Sequence, residues 1–235
     1  MSQLNPENPG ILVLRLQTRD LAAQRAFYTE TLNLRLLHDS ADGITLAAGR
    51  TELMFVVGGQ GNPTYHFAFN IPENKLPAAL SWLEERTEVH RDVDGSQIYT
   101  FTSWNAHAVY FRDPAGNILE FIARHNLPNA AEGAFTERDI LYASEIAITV
   151  DDVPRAVAEA RRQLGLEIFN GTQSDQFAAL GDDHRLLLIA QRGRPWSGSR
   201  TQVAEVHETR AELFGKTDAR LSLPSYPYDI SLCNC

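Results

Sequence analysis

The sequence predicts an α+β protein built from repeated βαβββ units. Two segments show the repeat, because residues 14–21 (LRLQTRDL) and 146–153 (IAITVDDV) both have the pattern of a strand that runs into a helix. The register continues without a gap, since 32–36 (LNLRL) matches 164–168 (LGLEI). A match of this length at a constant offset indicates copies of one structural unit.

The first and third units have the same order of elements. Asp20 and Asp152 stand where an N-cap carboxylate would accept hydrogen bonds from the first N–H groups of helices at 21–32 and 153–164. Short strands follow each helix, at 34–39, 43–48 and 52–57 in the first unit and near 166–170, 175–180 and 185–191 in the third.

The second unit is more diverged. It begins with a strand at 66–71 and continues with an amphipathic helix near 74–86. Its last strands are expected at 98–101, 107–111 and 118–123.

A single βαβββ unit leaves one sheet face bare, so each unit needs a neighbour. We expect units one and two to pair within 11–123, with a linker at 124–140. The third unit, in 141–235, would then pair with the C-terminal tail or with a second chain, because 193–235 contains no full fourth copy.

Composition narrows the class of protein. The formal net charge of -9 and the pI near 5.2 argue against binding to nucleic acid or to an anionic membrane surface. No apolar run approaches the length that spans a bilayer, and the first ten residues lack the pattern of a signal peptide, so we expect a cytoplasmic protein. Cys233 and Cys235 are expected to be tail thiols with little functional weight.

A strand, a tight turn and a second strand make up the tract 110–120 (YFRDPAGNILE). Pro114 and Gly116 suit the turn, and Glu120 shares a strand face with two isoleucines. A carboxylate in an apolar row requires a cation, a donor or solvent. Glu120 is therefore either a ligand in a cleft or a residue on an open, wet sheet face.

These motifs together resemble the vicinal-oxygen-chelate superfamily, which includes glyoxalase I, extradiol dioxygenases, fosfomycin-resistance transferases and bleomycin-resistance proteins. The resemblance rests on the opening 16–21 (LQTRDL), the strand 66–69 (HFAF) and the closing 110–114 (YFRDP) with Gly116 and Glu120. It implies paired units that form a half-open, barrel-like sheet around a divalent metal. That metal would chelate two adjacent oxygens of a small-molecule substrate.

The resemblance places metal ligands on the first and last strands of the paired units. It implies His66, Glu120 and Glu52 as ligands of Fe, Mn, Ni or Zn, whereas Val13 stands where the family has its first ligand. Glu145 is at the equivalent position in unit three, and we expect it to be solvated. His66 also has the simpler interpretation of a core or rim histidine that is bonded to a backbone carbonyl.

Other side chains are expected to surround the metal. Glu120 and Tyr110 are the expected catalytic residues. The expected substrate-binding residues are Arg15, Gln17, Asn70, Trp104 and His107.

Three possibilities remain open from the sequence: two are functions, and the third is a scaffold whose third unit makes an oligomer and which has no active cleft. One function is that of a metal-dependent dioxygenase, a glyoxalase-like lyase or isomerase, or a thiol transferase, active as a possible homodimer. The other is a metal-free protein that binds a small antibiotic-like molecule, which the absence of a ligand at Val13 favours.

Overall fold

A computed structural model describes residues 10–59, 61–197, 199 and 202–234 of the chain. The strands are β1 (Ile11–Thr18), β2 (Arg35–Asp39), β3 (Gly43–Ala48), β4 (Thr51–Val57), β5 (His66–Ile71), β6 (Tyr99–Phe101), β7 (Ala106–Arg112), β8 (Ile118–Arg124), β9 (Tyr142–Val150), β10 (Ile168–Gln173), β11 (Phe177–Asp182), β12 (Arg185–Gln191), β13 (Thr209–Phe214), β14 (Ala219–Leu221) and β15 (Tyr228–Cys233). The helices are α1 (Leu21–Ala26), which continues as a π-helical turn over Phe27–Thr31, α2 (Leu76–Glu84) and α3 (Val153–Leu164). Short 3-10 turns cover Thr102–Trp104 and Glu137–Asp139.

The order of these elements confirms the α+β fold and the three βαβββ units. In each unit the first strand lies parallel to the last, as in β1–β4, β5–β8 and β9–β12. The predicted helix starts are also present. Asp20 accepts a hydrogen bond from the Ala23 N–H at 2.9 Å, and Asp152 accepts one from the Arg155 N–H at 3.0 Å.

The units pair differently from the prediction. β5 of unit two lies antiparallel to β9 of unit three, whereas β1 of unit one lies antiparallel to β13 in the C-terminal segment. The strand pairing between β1 and β9 is limited to Ile11 and Ala143. The predicted pairing of units one and two is therefore wrong, and so is the pairing of unit three with the tail; the boundaries at 123 and 140 stay predictions.

The sheet is continuous but open, and its long path runs from β14 to β6 through both halves. One apolar cluster packs the helices against the outer face of the sheet in both halves. A second, smaller cluster covers the inner face of units two and three and includes Ala68, Tyr110 and Leu188. Among the described residues, the inner face of only this half is apolar enough to form such a cluster.

Cys233 lies in β15, which pairs along β13, and its sulfur is disulfide-bonded. The prediction of a tail thiol is wrong for Cys233, because its sulfur is in a disulfide bond and the residue is part of a strand. Cys235 lies outside the described residues.

None of the described helices is long and apolar enough to cross a membrane.

Candidate metal centre

Three buried side chains converge between units two and three. Strand register places Ala68 of β5 beside Glu120 of β8 on one side and beside Glu145 of β9 on the other. His66 precedes Ala68 by two residues and so shares its face. One potential ligand atom from each of His66, Glu120 and Glu145 lies within 4.8 Å of the others.

His66 presents a neutral imidazole to this cluster. Its Nδ1 lies 3.1 Å from the carbonyl oxygen of Ile118. Because a carbonyl only accepts, this hydrogen bond places the proton on Nδ1 and leaves the Nε2 lone pair free. Burial lowers the pKa of His66 to about 4. Its Nε2 lies 3.7 Å from Oε2 of Glu120.

Glu120 is only 1% exposed, and its Oε1 has no hydrogen-bond partner among the residues that the structure describes. Tyr110 lies directly opposite Glu120 in the β7–β8 pair, and its hydroxyl interacts with the same carboxylate. Burial raises the pKa of Glu120 well above its ordinary value, and the nearby charge of Glu145 adds to that shift. Burial also raises the pKa of Tyr110, so the phenol is a neutral donor near pH 7.

Glu145 is bound by the guanidinium of Arg124, which is also fully buried. Burial raises the pKa of Glu145, whereas Arg124 opposes that shift. Arg124 also donates through Nε to the side-chain oxygen of Asn70 at 3.2 Å, and its guanidinium carbon lies 5.4 Å from the ring centre of Trp104. The expectation of a solvated Glu145 is therefore wrong. The sequence feature that could have predicted Glu145 as a site residue is its alignment with the first-strand ligand position of the repeat.

The cluster opens into a cavity of about 240 Å³. Its wall is largely aromatic, with one cationic side chain, that of Arg194. The ring of Trp196 lies 5.3 Å from that of His66, centre to centre. The aromatic residues of the wall are Phe101, Trp104, Tyr110, Phe177 and Trp196.

Three of the predicted site residues lie in the other half of the sheet. Glu52 is exposed on β4, beside Val13 in the β1–β4 register, and does not join the cluster of His66. Arg15 and Gln17 both bind Glu208, at 3.0 and 2.9 Å. They are separated from the cluster because β1 pairs with β13 and not with β5.

Of the other three predicted substrate-binding residues, only Trp104 lies in the cavity wall. Trp104 lines the cavity and donates through Nε1 to the Thr172 hydroxyl at 2.8 Å. Asn70 is fully buried behind the cavity, where it bonds Arg124, so it is not a wall residue. His107 lies on the opposite strand face from Tyr110, with its Nδ1 2.8 Å from Nε2 of His125. The expectation that His107 and Asn70 contact substrate is not supported by these positions.

Residues 10–121 match the family model of the Glyoxalase/Bleomycin resistance protein/Dioxygenase superfamily. The matched region contains the chain's His66, Tyr110 and Glu120. The matched region belongs to this superfamily, which has the vicinal-oxygen-chelate fold. No curated protein sequence matches the chain significantly.

Solved structures of the superfamily show the same fold over nearly the whole chain. A Bacillus subtilis protein named as a candidate dioxygenase is 13% identical, with a TM-score of 0.61, over 97% of this chain and 86% of that protein. Glyoxalase I from Zea mays is 14% identical, with a TM-score of 0.55, over 95% of this chain and 91% of the plant protein. At these identities the likeness concerns the fold alone.

Proposed function

We propose that this superfamily member is a divalent-metal enzyme that acts on a small molecule with adjacent oxygens. The site lies between units two and three, with His66, Glu120 and Glu145 as metal ligands. The observation that carries the proposal is the buried Glu120 carboxylate, which lies beside a neutral histidine and a second carboxylate and whose Oε1 has no hydrogen-bond partner among the described residues. A buried oxygen of this kind is costly unless a cation or donor meets it.

The donor set fits a catalytic ion. One imidazole and two carboxylates suit Fe, Mn, Ni or Zn, and three protein ligands leave positions for water or substrate. The last strand of unit three supplies Leu188 to the cavity wall, which cannot act as a fourth ligand. The site is therefore open to a chelating substrate on the side of the cavity.

The chain's own residues would orient and shield this site. Tyr110 lies opposite Glu120 on the neighbouring strand and interacts with its carboxylate, and Arg124 binds Glu145. The aromatic wall limits access of water, which strengthens electrostatic interactions inside the cavity. A bound ion would supply Lewis-acid polarisation and a template for two substrate oxygens.

The reaction class stays open within the proposal. Oxidative ring cleavage, isomerisation of the glyoxalase type and thiol transfer all use such a centre, and a shared fold does not distinguish them. The alternative is a metal-free protein that sequesters a small molecule in the same cavity. The homodimer and the cytoplasmic location also stay predictions.

Metal content tests the proposal. Protein purified without chelator or a metal-affinity tag should contain about one divalent ion per chain, or take up one equivalent of added Mn²⁺, Fe²⁺, Ni²⁺ or Zn²⁺. His66→Ala and Glu145→Gln should reduce that content strongly, and Glu120→Gln should do the same. Glu52→Gln is the matched control, because Glu52 is an exposed glutamate of the other half and should not matter.

The outcomes separate the two functions. A wild-type protein that takes up none of these metals would refute the metalloenzyme and favour the metal-free binding protein. Loss of metal in Glu52→Gln, with retention in His66→Ala, would place the ions in the wrong half of the molecule for this proposal.

A further inference from the structure

Arg194 lies in the segment that joins β12 to β13, and its side chain lines the cavity of the metal centre. Its guanidinium carbon is 4.5 Å from the centre of the Phe177 ring. The guanidinium also donates a hydrogen bond from Nη1 to the carbonyl of the adjacent Pro195, at 3.1 Å. The cation is thus held over an aromatic face at the wall of the site.

No carboxylate of the described residues lies within ion-pair distance of Arg194, although the side chain is half-buried. The two neighbouring arginines behave differently. Arg192 is exposed and binds Asp151 at 2.7 Å, and Arg124 is buried and binds Glu145. Burial lowers the pKa of Arg194, which reflects a charge without full compensation. A partly desolvated guanidinium with free donors is a binding group for an anion.

The net charge of the site with a metal ion bound also favours an anionic ligand. The carboxylates near the site are those of Glu120, Glu145 and the partly exposed Asp183, whose Oδ1 lies 3.9 Å from Nη1 of Arg124. The cations are the guanidiniums of Arg124 and Arg194. A divalent ion would therefore leave an excess of positive charge in the cavity. A ligand that brings negative charge restores the balance, whereas a neutral ligand does not.

We propose that the cavity takes a small organic anion whose acid group pairs with Arg194 and whose apolar part lies against Phe177 and Trp196. The charge balance rests on the proposed metal function, but the unpaired guanidinium stands without it. The cavity of about 240 Å³ limits the ligand to a small molecule, such as a single ring with one acid group. The guanidinium favours a carboxylate or another planar oxyanion, which it can bind through two parallel hydrogen bonds.

Benzoate and benzamide are suitable probes because they share a ring and differ in charge. Binding of each would be measured by isothermal titration to EDTA-treated protein and to protein loaded with Zn²⁺. Wild-type protein should bind benzoate about tenfold or more tightly than benzamide in both forms. Arg194→Gln should lose most of that preference.

Arg192→Gln is the matched control, two residues away on the same segment but exposed and paired with Asp151. It should keep the preference for benzoate. Equal binding of both probes to wild-type protein overturns the proposal, and so does an unchanged preference in Arg194→Gln or an absence of benzoate binding at millimolar concentration.

Failure of this proposal can be distinguished from failure of the metal function. A protein that binds no metal but keeps an Arg194-dependent preference for benzoate supports the anion site and refutes the metalloenzyme. If the metal is lost in His66→Ala but the protein binds benzoate and benzamide equally, the metal centre is supported and the anion site is refuted.

Discussion

The buried ion pair between Arg124 and Glu145 gives the sharpest prediction about stability. Both side chains are almost completely buried, with 1% exposure for each residue. Replacing Arg124 with Met keeps much of the side-chain length and removes the charge. The substitution leaves the Glu145 carboxylate in an apolar region with no cation.

The expected loss follows from this geometry. Removing one partner of a buried ion pair costs about 3–5 kcal/mol. The Arg124 Nε also donates to Asn70, and that bond is worth about 1 kcal/mol. Glu145 can limit the penalty by binding a proton, since burial already raises its pKa. We therefore expect Arg124→Met to lower the free energy of unfolding by about 3 kcal/mol at pH 7.

Urea unfolding in the presence of EDTA measures this loss without a contribution from metal. Arg162→Met is the control, because Arg162 forms an exposed pair with Glu159 and should cost less than about 1 kcal/mol. The double variant Arg124→Met/Glu145→Gln should be more stable than Arg124→Met by about 2 kcal/mol, because it removes the unpaired charge.

Two results would refute this reasoning. One is a loss below about 1 kcal/mol for Arg124→Met, which would mean that the pair is not desolvated as the structure shows. The other is a double variant that is less stable than the single one, which would mean that an unpaired Glu145 is not the source of the loss.

Further predictions concern the turn, pH, the backbone and the other half of the sheet. Asp113 accepts five hydrogen bonds, so Asp113→Ala should lower the free energy of unfolding, measured in urea, by about 3 kcal/mol. Asp113→Asn should cause a smaller loss. In EDTA-treated protein, His66 contributes stability that is complete above its unfolded pKa of 6.5 and is lost as the pH falls towards about 4. The loss of unfolding free energy over this pH range should reach about 3 kcal/mol in the wild type and should be absent in His66→Phe. An unchanged pH dependence in His66→Phe would contradict the buried neutral histidine. Gly49→Ala places a Cβ 2.0 Å from a backbone oxygen and should cost about 3 kcal/mol by thermal unfolding, against about 1 kcal/mol for Gly165→Ala, which meets no atom within 4 Å. Val13→His, combined with His66→Ala, should create a weak, exposed zinc site, and the absence of any zinc uptake would contradict the β1 register.

The sequence was most informative within single units. The spacing of strands, the N-cap residues Asp20 and Asp152, and the turn at Pro114 follow from local patterns. His66 and Glu120 could also be predicted together, because both belong to unit two and their strands are parallel neighbours. When two site residues lie in the same βαβββ unit, the pattern of that unit predicts how their strands are placed relative to each other.

The third member of the site depends on which units pair. β1, β5 and β9 have similar apolar alternation, so the pattern alone does not identify the partner of each edge. Choosing the first two units as partners made Glu52 a ligand and placed Glu145 in solvent. The structure exchanges their roles, because β9 and not β1 lies beside β5.

The two halves of the sheet show why burial decides where a metal centre can form. Val13 is flanked by Glu52 and Glu212 on the neighbouring strands, much as Ala68 is flanked by Glu120 and Glu145. The residue types alone would thus allow a pair of carboxylates in either half. In the first half Glu52 is exposed to solvent, so its charge needs no partner. In the second half the carboxylates lie under an aromatic wall and require cations, which Arg124 supplies to one of them and a metal ion would supply to both.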